Sequence, residues 1–239
     1  GLTVNANGGS YNLSDTASAL ADASTGVLDD AANITATGAA DVAQAKAIEG
    51  ASNSGSTTYD VTDALSALVA EATDGGGSAA LAEATTTTVS GLAPSPEKVN
   101  FTGLSDSADA TAIDFIDNAA TLTEGEFDTV ATGTLATPAL QFGSDDTITV
   151  NADDTDADGD IDASGFTNGA QFVLNGDGNV NTLTGGEDAD ILTGGASADI
   201  FAFDDTDSGS TIMDFEAGGS GDQLDLNESV AAGTTLEKD

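Results

Sequence analysis

In the first part of the chain, short stretches of β-type alternation run into Ala/Leu runs whose apolar spacing suits one face of a helix. Laying Tyr11-Asn-Leu-Ser-Asp-Thr-Ala-Ser-Ala-Leu-Ala-Asp-Ala over Tyr59-Asp-Val-Thr-Asp-Ala-Leu-Ser-Ala-Leu-Val-Ala-Glu-Ala72 reveals an internal repeat. Asn33-Ile-Thr-Ala-Thr-Gly38, followed by Ala39 to Ile48, is the same unit about half-way between them. The period of roughly 24 residues lies in the range of solenoid repeats. Each unit predicts strand, turn and helix, with Ser14-Asp15 and Thr62-Asp63 as N-cap residues. Leu20, Val42, Ile48, Leu65 and Leu68 fall on the face that would cover the strands.

Asp74-Gly-Gly-Gly-Ser78 and Pro94-Ser-Pro96 then punctuate the chain. Beyond them, Val99 to Val150 carries Thr-rich β-type segments such as Thr147-Ile-Thr-Val150, with Ile113 to Ala120 as a short predicted helix and no chemical motif. The expected organisation is Ala-rich strand–helix repeats over 1–93, a Thr-rich β segment over 97–150 and a third region over 151–239.

In that third region the pattern shortens to nine residues. Gly176-Asp-Gly-Asn-Val-Asn-Thr-Leu-Thr184, Gly185-Gly-Glu-Asp-Ala-Asp-Ile-Leu-Thr193 and Gly194-Gly-Ala-Ser-Ala-Asp-Ile-Phe-Ala202 follow one another without a gap. Asn181, Asp190 and Asp199 occupy the sixth positions, and Leu183, Leu192 and Phe201 the eighth. These repeats resemble the RTX, or hemolysin-type, calcium-binding family, whose pattern is G-G-x-G-x-D-x-U-x with U a large apolar residue. The likeness extends through Asp204-Asp-Thr-Asp-Ser-Gly-Ser-Thr-Ile-Met-Asp-Phe-Glu-Ala-Gly218, which contains Asp207 and Asp214, and Gly221-Asp-Gln-Leu-Asp-Leu226. Similar sequences close the roll in secreted RTX proteases and large surface proteins.

The resemblance implies turns of six residues that bind Ca²⁺ and short strands that stack into a parallel β-roll. Physical chemistry agrees: glycine permits a tight turn with inward carbonyls, and the sixth-position carboxylate supplies charge. The implied metal-binding positions are Gly176, Asp177, Asn181, Gly185, Gly186, Asp188, Asp190, Gly194, Gly195, Asp199, Asp207 and Asp214. The sequence departs from the pattern at Asp177, Asn179, Asp188 and Ser197, where glycine is expected; Asn and Asp tolerate left-handed backbone better than other residues with a side chain. Asn181 is neutral, which weakens the first turn, so Asp190 with the acidic segment downstream is the expected full site.

A second constellation precedes the repeats. Asp154-Thr-Asp-Ala-Asp-Gly-Asp-Ile-Asp162 matches the first nine positions of an EF-hand-type loop, with carboxylates at Asp154, Asp156 and Asp158, a sharp turn at Gly159, the Asp160 carbonyl and Asp162. Gly165 stands where the bidentate glutamate would be, and no helix pair flanks the loop. The pattern reads as a calcium loop between β segments with an affinity of roughly 10⁻⁴ to 10⁻³ M; the alternative is a solvated acidic loop.

Composition narrows the chemistry further. The 239 residues carry 42 acidic and 3 basic side chains, a formal charge of −39 that opposes compaction. The cations are Lys46, Lys98 and Lys238, leaving no basic footprint for nucleic acid. Without cysteine or histidine, the chain has neither thiolate sites nor the usual zinc ligand and general base. Carboxylates and carbonyls at this density favour Ca²⁺, several ions of it, over the strictly octahedral Mg²⁺. Gly1 to Ser10 has neither the charged start nor the apolar run of a signal peptide, and no stretch reaches membrane-span length.

The expected fold is mainly β: a parallel β-roll or β-solenoid at the C-terminal end, preceded by α/β solenoid-like repeats. The resemblance implies a secreted, non-enzymatic structural protein of the bacterial cell surface, exported by one-step (type I) secretion. Such a protein would build a surface layer, matrix or filament by self-association on Ca²⁺, with a cell-surface glycan as a further partner. The alternatives are the non-catalytic RTX module of a secreted enzyme, and an adhesin that binds carbohydrate or ice.

Overall fold

The computed structural model describes residues 2, 4–7, 10–92, 97–131, 140–153, 159–203, 209–219 and 221–226. The fold is mainly sheet and contains several parallel sheets. It divides into two compact units, Gly1–Asp117 and Asn118–Asp239.

The first unit opens with β1 (Val4–Asn7) and β2 (Ser10–Asp15), followed by α1 (Ala17–Ala21), α2 (Thr25–Asp29), β3 (Ala31–Ala36) and α3 (Val42–Glu49). Next come β4 (Thr57–Thr58), β5 (Val61–Ala64), α4 (Leu65–Ala72), α5 (Ala79–Ala82), β6 (Thr87–Ser90), β7 (Glu97–Thr102) and β8 (Ala112–Phe115). Strands separated by helices run parallel, as β2 with β3, β3 with β4 and β5 with β6. The hairpin partners β1–β2, β6–β7 and β7–β8 are antiparallel. The pairing of β6 with β7 spans Pro94-Ser-Pro96, so both sides of that punctuation belong to one unit.

The strand-then-helix order matches the sequence repeat, and Leu20, Val42, Ile48, Leu65 and Leu68 are all buried. The two repeat tyrosines play matching parts. Tyr11, in β2, donates its hydroxyl proton to the Val27 carbonyl at 2.7 Å, and Tyr59, between β4 and β5, to the Ala80 carbonyl at 3.0 Å, each bonding to a short helix further along.

Two local expectations are corrected. The N-caps of α1 and α4 are Thr16 and Ala64, because Ser14-Asp15 and Thr62-Asp63 still belong to the strands. Asp15 and Asp63 instead accept the N–H of the residue that follows each, at 2.8 Å. The second oxygen of Asp63 accepts the N–H of Val42, the first residue of α3. Ile113 to Ala120 is not a helix: Ile113 and Phe115 bury their side chains within β8, and Asn118 turns the chain at φ +57°. Alternation of large apolar residues prevails there over helical spacing.

The second unit contains β9 (Ala119–Thr123), α6 (Glu124–Ala131), β10 (Gln141–Phe142), β11 (Thr147–Asn151), β12 (Ile161–Asp162), β13 (Gln171–Asn175) and β14 (Thr182–Thr184). It ends with β15 (Ile191–Thr193), β16 (Ile200–Phe203), β17 (Thr211–Ile212) and β18 (Gln223–Leu226). From β11 onward, consecutive strands alternate between two parallel sheets. One is five-stranded, in the order β17-β15-β13-β11-β9; the other is four-stranded, in the order β12-β14-β16-β18.

Register lines up the eighth-position Leu183 and Phe201 with Ile161 and Leu224 in one column, in which Ile161, Leu183 and Phe201 are fully buried and Leu224 is exposed. The facing sheet buries Leu122, Val150, Leu174 and Leu192 in the same way. Phe127 from α6, Phe142, Phe166 and Phe172 form one aromatic cluster with ring centroids 5.0 to 6.2 Å apart. Among the described residues, no helix is long and apolar enough to cross a membrane.

Candidate metal centre

Each sixth-position residue immediately precedes a strand, and its side chain turns inward. Asn181, Asp190 and Asp199 are at most 1% exposed. A carboxylate can sit there only if its lone pairs find donors, because an ion without partners in a dry interior costs several kcal/mol. The donors are backbone N–H groups. Asp190 Oδ1 accepts from Phe172 N and Oδ2 from Gly186 N, both at 2.7 Å. Asp199 Oδ1 accepts from Asn181 N at 2.9 Å, and Asn181 Oδ1 accepts from Asp177 N at 2.9 Å.

The glycines make this approach possible. A Cβ on Gly185 would overlap the Asp190 carboxylate, and one on Gly194 the Asp199 carboxylate. A side chain on Gly176 would meet the Gly194 carbonyl and the Asn181 side chain, and one on Gly195 the Asp177 carbonyl. Gly195 also has φ +95°, a backbone conformation that glycine adopts freely. At the fourth positions only Ser197 is left-handed, with φ +99°; Asn179 and Asp188 are not, so the tolerance expected of them is not used.

The remaining predicted residues fall in several places. Asp177 folds its carboxylate back into its own turn, accepting from Asn179 N at 2.6 Å and from Asn179 Nδ2. Asp188 is exposed, and its carbonyl accepts from the Ser210 hydroxyl. Asp214 receives two N–H groups, from Gly194 at 2.9 Å and Gly195 at 2.8 Å. Asp154, Asp156, Asp158 and Asp207 lie outside the described residues.

Of the EF-hand-type loop, Gly159 takes a left-handed turn at φ +50°, and its carbonyl accepts from Asn181 Nδ2. Asp160 accepts from Thr182 N at 2.6 Å through its carboxylate. Asp162 lies in β12 and accepts from Ser164 N at 2.9 Å. The end of this loop therefore packs against the first nonapeptide.

Asp222 escaped the sequence assignment. It is 8% exposed, accepts from Asp199 N at 3.0 Å and Glu216 N at 2.7 Å, and stands directly before β18 as Asp199 stands before β16. Asp146, 1% exposed and directly before β11, is a further inward carboxylate and accepts from Gly143 N. The signal for both was in the sequence: an aspartate followed two residues later by a large apolar residue, Leu224 or Ile148, without the glycine pair.

Asp199 has other carboxylates near it, and the acidic segment expected beside Asp190, 204–208, lies outside the described residues. Burial, then the nearby charges of Asp222, Asp214 and Asp177, push the Asp199 carboxyl above the ordinary carboxylate range, although the Asn181 N–H pulls it down. No lysine or arginine stands among the described residues of this unit. On the Asp190 side, the group donated to one strand further along is the Ser210 hydroxyl, which accepts the Asp190 N–H at 3.1 Å.

Among family models, curated proteins and solved structures, nothing matches this chain. The chemistry of the residues themselves must therefore define the site. Carboxylate and carbonyl oxygens are the ligand type of hard cations in general.

Proposed function

We propose that this chain is a secreted, calcium-binding structural protein of the bacterial cell surface, part of a surface layer, matrix or filament. In this reading β11 to β18 form a parallel β-roll that Ca²⁺ orders, the N-terminal strand–helix repeats form a solenoid-like extension, and the molecule is not an enzyme. Self-association through the ordered form builds the extended assembly.

The observation that carries the reading is the placement of Asp190 and Asp199. Both carboxylates are buried at the end of a glycine-bounded turn, and the charges of Asp222, Asp214 and Asp177 act on Asp199 with no lysine or arginine among the described residues of the unit. Like charges acting on a buried carboxylate raise the energy of the folded chain unless a cation neutralises them. Binding of such a cation to the folded form alone stabilises it in proportion to the logarithm of its concentration.

Equilibrium dialysis against Ca²⁺ and Mg²⁺, followed by negative-stain microscopy of the calcium form, tests the reading. Saturable binding of Ca²⁺ at concentrations where Mg²⁺ does not compete, together with sheets or filaments, is the expected result. Equal uptake of both ions, with no gain in order, would overturn it.

A further inference from the structure

The five-stranded sheet of the second unit has an outer face that breaks the composition of the chain. None of its strands, Ala119–Thr123, Thr147–Asn151, Gln171–Asn175, Ile191–Thr193 and Thr211–Ile212, contains a charged residue. In a protein with 42 acidic side chains this is a neutral window. The partner sheet differs, since Asp162 and Asp225 stand at its outward positions.

The neutral face is also ordered. Parallel register lines up Thr121, Thr149, Val173, Ile191 and Thr211 in one column across all the strands. A second column holds Thr123, Asn151, Asn175 and Thr193, in which Asn175 donates to the Asn151 side chain at 2.9 Å. These side chains are partly or fully exposed. Hydroxyls and amides thus recur at the strand spacing of about 4.8 Å, with methyl groups between them.

We infer that this face docks a neutral, hydroxyl-rich polymer, a glycan without charged groups. An acidic polymer is repelled by a molecule of −39, whereas a basic one is drawn to the carboxylates elsewhere on the surface. A second copy of the chain fits poorly. Strand spacing and length give the face about 400 Å², roughly half of what each partner contributes to a standard interface, and both copies carry the same charge. A polymer compensates for a small footprint by repetition, engaging many molecules along its length. The face has no aromatic residue, so recognition runs through hydrogen bonds to Thr, Asn and Gln and aliphatic contact with Val173 and Ile191.

This inference extends the proposed surface role to a partner, and its test separates the two. The full chain, saturated with Ca²⁺ and checked by circular dichroism for an unchanged fold, is sedimented with insoluble cellulose and chitin and mixed with soluble alginate. The expected result is retention on at least one neutral glycan, at least tenfold weaker binding to alginate, and a tenfold loss of retention for Thr149→Glu. Thr184→Glu on the other sheet should bind as the parent does. Absence of retention on every neutral glycan, retention unaffected by Thr149→Glu, or a dimer in analytical ultracentrifugation that Thr149→Glu abolishes would overturn the inference. Calcium uptake measured on the same samples reports independently on the proposed function.

Discussion

The buried carboxylate of Asp199 accepts the backbone N–H of Asn181, 18 residues upstream, at 2.9 Å, while the N–H of Asp199 is itself taken by Asp222 at 3.0 Å. One side chain thus joins two strands of the same sheet and also carries a charge on which other carboxylates act. Asn181, at the same position 18 residues earlier, accepts through its amide oxygen from Asp177 N in its own turn, as Asp190 accepts from Gly186 N. The structural part of the position therefore needs an oxygen, and the proposed metal-binding part needs the charge.

Asp199→Asn separates those two parts. The amide oxygen can still accept the Asn181 N–H, so the calcium-free form should be unchanged or stabilised, while affinity for Ca²⁺ falls by at least tenfold. Asp190→Ala strips an acceptor from Phe172 N and Gly186 N and should cost about 2–4 kcal/mol, from the penalty of about 1–3 kcal/mol for an orphaned buried donor. Asp29→Ala, which frees the exposed Ser52 N–H, should cost less than about 1 kcal/mol. Calcium titration combined with denaturant melts of the three variants checks this ordering.

The third nonapeptide turn supplies a backbone test. Gly195→Ala places a Cβ against the Asp177 carbonyl at a left-handed residue and should destabilise the second unit by about 3 kcal/mol or more. Ser197→Gly relieves φ +99° but loses the hydroxyl bond to the Gly178 carbonyl, so its net effect should lie within about 1 kcal/mol of zero. Ser197→Ala keeps the strain and loses the bond, and should be the less stable of the two Ser197 variants. Urea titrations rank the three.

The raised Asp199 carboxyl sets a pH dependence with a definite sign. Its folded value lies above the unfolded one, so its contribution to stability is fully present below the ordinary carboxylate range and is lost as pH rises through the raised value. In chelator, the Asp199 contribution should therefore favour the folded form on the acid side of that window. Calcium prefers the ionised form, so its affinity should increase across the same window as pH rises. Asp199→Asn should flatten both trends; thermal melts and calcium titrations across the window measure them.

In the first unit, Tyr59→Phe should cost about 1–2 kcal/mol, because the buried Ala80 carbonyl loses its donor. Tyr11→Phe, at a partly exposed site, should cost less than about 1 kcal/mol. Thermal denaturation followed in the near ultraviolet discriminates the two.

The tyrosine repeat and the nonapeptides were legible because each repeats the same residue at the same structural duty. Tyr11 and Tyr59 both donate to a carbonyl of a helix further along, and Leu183, Leu192 and Phe201 are all buried. The participation of Thr147-Ile-Thr-Val150 in the same parallel sheet as Ile191-Leu-Thr193 was not legible. β11, β13 and β15 are joined by connections of unequal length, which hides their common register. Asp222 and Asp146 were missed for a related reason: they keep the place before the strand but lack the glycine pair. The N-cap residues were misplaced by one or two positions, since strand pairing holds Asp15 and Asp63 in extended backbone up to the helix start.

Hydrogen exchange on the full chain, with Ca²⁺ and with chelator, tests the central claim most directly. The account predicts that the amides of Phe172, Asn181, Asp199 and their neighbours in β13 to β16 are protected with Ca²⁺ and exchange freely in chelator, while β2, β3 and α3 change little. Equal protection of β13 to β16 in both conditions would contradict it.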